Sequence, residues 1–158
     1  MEYKNDVSEV IDKTATIENV LNQIIEQYCS PRKEAFNFFW SVLLDSSIIS
    51  LGAKIKVVMA ISHDSEIKLK LDSIHKLISY RNSFAHNRLN SHTTLCVGKD
   101  EDTVVHRLEV ITNTGKIKSE NRNIALENFN KHYLDSIKSL SEFKGKLKEE
   151  LLMCNKNA

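Results

Sequence analysis

The stretch SIHKLISYRNSFAHNRL, residues 73–89, decides how the chain is read, because nowhere else do an arginine, an amide and a histidine sit together on a helical, core-facing segment. Ile67, Leu71, Ile74, Ile78 and Ala85 recur at intervals of three, four or seven residues, the spacing that lines one face of an α-helix. Leu77 and Phe84 widen the stripe. The segment is therefore predicted to be a helix that buries one side. Residues four apart point the same way, so Asn82 and His86 project together, while Arg81 lies about 140° round from His86. Arg81 and His86 could converge if the helix frays or bends near His86, if the long arginine side chain sweeps round, or if a second copy of the helix supplies the partner groups. The plainer reading makes Arg81 and Asn82 solvated residues and His86 a cation at a helix C-terminus, where it gains a few tenths to about 1 kcal/mol.

Arg81-Asn82-Ser83-Phe84-Ala85-His86 resembles the signature of the HEPN superfamily: an arginine, a polar residue, three further residues and a histidine. Members are small all-α domains, often ribonucleases or partners of nucleotidyltransferases. The upstream run SLGAKIKVV, residues 50–58, is similar to the mannitol-repressor-like branch of that superfamily. The resemblance covers Leu43 to His86 and extends to the flanking helices in outline.

What the resemblance implies is a metal-independent endoribonuclease, a toxin or defence component, whose active site forms across a homodimer. RNA carries its own nucleophile, the 2′-hydroxyl, so the protein need supply only a proton-transfer group and a cation, with no metal and no cofactor obligatory. His86 carries an imidazole, a group able to take and give a proton, and suits the first task; Arg81, with a guanidinium able to make two hydrogen bonds to a phosphate, suits the second. Asn82 would orient His86 or donate to a phosphate oxygen. Tyr80, Ser83 and Arg88 are neighbours with weaker claims to binding. The partners implied are RNA, a second copy of the chain, and an antitoxin or nucleotidyltransferase. The alternative is a non-catalytic regulatory or interaction module of the mannitol-repressor kind, in which Arg81 and Asn82 bridge helices and His86 caps an end; fold similarity does not establish activity.

Composition narrows the field further. A chain of 158 residues is expected to form one domain spanning 1–158, long enough to bury roughly two-thirds of its unfolded surface without disulfides or metals. Four glycines and one proline point to long uninterrupted elements. The net charge of +1 gives no broad basic field, so extensive sequence-independent nucleic-acid binding is not expected and any such contact would be local. Cys29, Cys96 and Cys154 lack the close pairing of zinc or redox motifs and read as reduced packing or surface residues. The N-terminus is charged where a signal peptide would be apolar, and no apolar run reaches the length of a membrane span, so a cytoplasmic protein is expected.

In chain order, a first long helix is predicted from about Asp6 to Cys29, with Thr14 filling a gap in its apolar stripe. Ser30-Pro31 reads as the N-cap and first position of a second helix. That helix carries Phe36, Phe38, Phe39, Trp40, Val42, Leu43 and Leu44, too many for one face, so it is buried on more than one side or contributes to a subunit interface. A third helix runs to about Ile61, with Lys54 and Lys56 as solvated flanks. Asp64 or Ser65 then opens the fourth helix, which holds the motif. Between about 92 and 119 the β-branched, alternating residues predict a β-hairpin with a turn at 98–102, and a brief third strand at 116–118. The last helix begins near Asn123. The predicted fold is thus mainly α, a helical bundle of about four to five helices with a small β-hairpin before the last. His75, His92, His106 and His132 read as surface or structural residues.

Overall fold

A 4-3-4-3 succession of buried side chains, Val10, Thr14, Ile17, Leu21 and Ile24, defines the inner face of the first helix, α1 (Glu2–Cys29), in the computed structural model. The structure describes residues 2–86, 90–94, 103–111 and 114–154. Thr14 holds its place in the stripe by donating its hydroxyl to the Val10 carbonyl at 2.7 Å, so its only polar side-chain atom is satisfied within the helix. Four more α-helices follow among the described residues: α2 (Phe36–Phe38), α3 (Leu51–Asp64), α4 (Asp72–His86) and α5 (Arg122–Cys154). Strands β1 (Asn90–Thr94), β2 (Thr103–Ile111) and β3 (Ile117–Asn121) lie between α4 and α5, forming an antiparallel sheet in the order β1-β2-β3. The chain is therefore mainly helical, with a small sheet inserted before the last helix.

Two compact units make up the chain, one of residues 1–14 and 71–135, the other of residues 15–70 and 136–158. In the first, α4 lies against β2, and the core comprises Val10, Ile74, Leu77, Tyr80, Phe84, Leu108, Val110, Ala125 and Phe129. Leu108 and Val110 are buried while Arg107, Glu109 and Ile111 are exposed, the period-two alternation of a sheet covered on one face. Register places Glu120 of β3 opposite Leu108 and Lys118 opposite Val110, which commits a carboxylate to the covered face. Asn121 caps α5, its Oδ1 accepting the Asn123 amide at 2.9 Å. A largely buried ion pair between Arg122 and Asp6 ties the start of α5 to α1.

The second unit buries Ile17, Leu21, Ile24 and Ile25 of α1, Ile55, Val58 and Ile61 of α3, and Leu140, Phe143 and Leu147 of α5. Here four local expectations are corrected. Ser30 is not an N-cap: its φ is 45° and its amide bonds to the Glu26 carbonyl at 2.8 Å, so it ends α1 in the left-handed conformation. Pro31 stands just beyond it because proline cannot continue a helix. Helix α4 opens at Asp72, not near Asp64; Ser65 closes α3 through its amide to Ile61, and Asp64 accepts from the Tyr28 hydroxyl. In both places a polar residue that suits a helix start was terminating the previous helix.

The third correction concerns Lys54, which is fully buried. Its ammonium donates to Glu18 Oε1 and to the Leu44 carbonyl, each at 2.5 Å. The fourth concerns residues 33–43, whose winding changes from 3₁₀ (Lys33–Ala35) through α2 to a π-turn (Phe39–Leu43). The Leu44 amide bonds to the Phe39 carbonyl five residues back, and those two side chains are buried together. Because the winding is not uniform, the apolar residues do not share one stripe, and Phe36, Phe38, Val42 and Leu43 stay exposed.

Candidate functional site

Helix α4 divides its residues cleanly between packing and display. Ile74, Leu77, Tyr80 and Phe84 are buried at intervals of three, three and four, which rotates the inner face slightly from the predicted one and leaves Ile78 and Ala85 only half-buried. Ser83 is buried as well, its hydroxyl donating to the Ser79 carbonyl at 3.0 Å; it is a helix-satisfied packing residue. Asn82 and His86, four residues apart, are exposed. Arg81 is half-buried and donates from Nη1 to Asn82 Oδ1 at 3.1 Å. The structure thus joins the side chains of Arg81 and Asn82, and among the described residues no side-chain hydrogen bond joins His86 to either. His86 is the final residue of α4. Arg88 lies outside the described residues, as do the predicted turn at 98–102 and Cys96.

Beside this display face the same helix helps to build a cavity of about 440 Å³ in the first unit. Lys76 and Tyr80 line it from α4, Val110 from β2, Lys118 from β3, and Asn128 and His132 from α5. Three of these lining residues, Tyr80, Lys118 and Asn128, meet at Glu120, which is buried at 9% exposure. Tyr80 donates its hydroxyl to Glu120 Oε2 at 2.9 Å, while Asn128 Nδ2 and Lys118 Nζ donate to Oε1 at 2.9 and 3.2 Å. A carboxylate can be carried into a core when its oxygens are met in this way. The tyrosine is affected in return: burial, then the adjacent Glu120 carboxylate, push its pKa up to about 12. The Tyr80 and His132 rings stack with centroids 6.1 Å apart and planes 27° from parallel. Burial holds the His132 pKa below its ordinary value, and the Lys76 charge acts in the same direction.

Tyr80 thus has a defined structural role that its neighbour status in the motif did not convey. Glu120 and Asn128 escaped the sequence reading, and His132 was read there only as a surface or structural residue. Glu120 lies beyond the predicted third strand, and the available signals were weak: Lys118 and Glu120 share a strand face, and Asn128 and His132 share a helix face. Among the described residues no group of three or more His, Cys, Asp or Glu is placed to hold a metal ion, and no helix is long and apolar enough to cross a membrane. No family model matches the chain, nor does any curated protein or solved structure.

Proposed function

We propose that the chain is a metal-independent endoribonuclease of the HEPN type, acting as a homodimer in which Arg81 and Asn82 of one copy work with His86 of the other. The observation that carries this reading is the arrangement on α4: a helix with one face committed to the core presents Asn82 and His86 to solvent one turn apart, with the Arg81 guanidinium bonded to Asn82. A regular helix keeps Arg81 and His86 about 140° apart, so one copy alone does not converge them on a single phosphate. The exposed Phe36, Phe38, Val42 and Leu43 provide apolar surface suited to association.

In this mechanism the 2′-hydroxyl attacks the adjacent phosphorus as a histidine takes its proton. The guanidinium stabilises the charge that builds on the phosphorane, and the 5′-oxygen leaves with a proton donated by an imidazolium. The products are a 2′,3′-cyclic phosphate and a 5′-hydroxyl, so an all-deoxyribose strand is not cleaved.

The experiment is incubation of purified protein with single-stranded and structured RNA in excess chelator. Cleavage should persist, fall by about 10²- to 10⁴-fold in His86→Ala, and fall in Arg81→Lys, where the charge stays and the planar fork is lost. Equal background cleavage by wild type and His86→Ala would reject the nuclease for those substrates. The second reading, a regulatory module without catalysis, is favoured by the net charge of +1 and by the engagement of Arg81 with Asn82; that same null result would select it.

A further inference from the structure

The cavity beneath α4 offers chemistry that RNA cleavage at Arg81 and His86 does not use. Two ammonium groups, Lys76 and Lys118, line it. The buried Glu120 carboxylate, bonded to three of the lining residues, already accepts from Tyr80, Asn128 and Lys118, so it has little acceptor capacity left for a bound cation. Two lysines and no acidic residue line the cavity, and the single carboxylate paired with one of them, Glu120, leaves one positive charge in excess. The rest of the lining mixes flat and apolar surface, from the stacked rings of Tyr80 and His132 and from Val110, with the polar side chains of Ser79, Thr114 and Asn128. A volume of about 440 Å³ falls in the range of sites that enclose a small organic molecule, in which apolar walls supply contact and a few polar groups fix orientation.

We propose that this cavity binds a small planar organic anion, a carboxylate or phosphate monoester borne on a flat ring, with the ring against Tyr80, His132 and Val110 and the anionic group between Lys76 and Lys118. The site is independent of the RNA reading and would stand if no cleavage were found. It sits on the same helix as Arg81, and Tyr80 is the residue before it, so occupancy would be registered at the base of the motif. Both lysines can turn toward the ligand, Lys76 being exposed and Lys118 held to Glu120 only at 3.2 Å with its side chain 60% exposed.

The charged groups that act on the His132 imidazole are Lys76 from α4 and Lys131 and Asp135 from its own helix, and Lys118 of β3 lines the same cavity. An anion bound beside Lys76 offsets the cationic influence on the ring and favours imidazolium, so its pKa should rise on binding.

The test is a nuclear magnetic resonance titration of the full chain with four probes: benzoate, phenyl phosphate, inorganic phosphate and neutral benzamide. Saturable shifts confined to Lys76, Tyr80, Val110, Lys118, Asn128 and His132, together with a raised His132 pKa, are expected with benzoate or phenyl phosphate. Preference between those two identifies the carboxylate or the phosphate as the recognised group. Benzamide, without charge, and inorganic phosphate, without a ring, should each bind at least about tenfold more weakly. Lys76→Met should weaken the preferred anion by on the order of tenfold, and because this side chain is exposed the variant should keep the wild-type fold. Lys118→Met should do the same, with circular dichroism checking that the loss of its bond to Glu120 has not unfolded β3; if it has, Lys76→Met alone decides. The proposal is overturned by no saturable shift with any probe up to about 10 mM, by inorganic phosphate or benzamide matching the ring anions, by shifts centred on other residues, or by undiminished binding to Lys76→Met.

Discussion

Replacing Glu18 by alanine should cost more stability than replacing its partner Lys54 by methionine, although both changes break the same ion pair. The asymmetry comes from burial. The Lys54 side chain is 1% exposed, so once Glu18 is removed its ammonium keeps one hydrogen-bond acceptor, the Leu44 carbonyl, with the Asp45 carboxylate acting on it only through its charge. Loss of one member of a buried pair costs about 3–5 kcal/mol. The Glu18 side chain is 22% exposed, so in Lys54→Met the carboxylate can rehydrate, while methionine keeps most of the apolar volume. What remains is the Leu44 carbonyl without its donor, at roughly 1–3 kcal/mol. Urea unfolding followed by circular dichroism should therefore rank wild type above Lys54→Met above Glu18→Ala. The Glu18→Ala midpoint temperature should fall by roughly 6–20 °C. The double variant Glu18→Leu/Lys54→Met should recover stability relative to Glu18→Ala, because it leaves no buried charge. The reasoning is refuted if Glu18→Ala unfolds within about 0.5 kcal/mol of wild type, or if Lys54→Met proves the more damaging.

Two further outcomes follow from single side chains. Tyr80, with its pKa raised to about 12, favours the neutral phenol in the folded state; its contribution is complete below the unfolded value of about 10 and lost as pH rises through about 12. Absorbance titration at alkaline pH should show one late tyrosine that is absent from Tyr80→Phe, and a late phase that survives the substitution would contradict the assignment. Ser50 accepts the Ala53 amide at 3.3 Å at the start of α3, a long bond for a cap, so Ser50→Ala should cost about 0.5–1 kcal/mol and Ser50→Asp should restore it; thermal melts of the three proteins settle the point.

The sequence alone determined the long helices and the change of character between α4 and α5, because apolar periodicity is a local property. A period near 3.6 selects a helix and strict alternation selects a strand wherever one face is buried. Thr14 in the α1 stripe and the inward Leu108 and Val110 of β2 were readable for that reason. So was the candidate set on α4, since the exposed positions of Asn82 and His86 follow from helical geometry once the buried face is known.

Ends of elements were less legible. Ser30 and Ser65 have the side chains of helix starts, yet close α1 and α3 through backbone bonds to Glu26 and Ile61. A short polar residue next to a loop serves either end, and the backbone conformation decides which. Only the tertiary structure could decide the fate of charges. Lys54 looks like a surface lysine in any window of sequence, and it is buried because Glu18, thirty-six residues earlier, and the Leu44 carbonyl meet its ammonium. Glu120 is buried because strand register sets it opposite Leu108 and because Tyr80, forty residues earlier, and Asn128 meet its oxygens. A polar group enters a core only where distant parts of the chain bring it partners, and that pairing is a property of the fold, not of the local pattern.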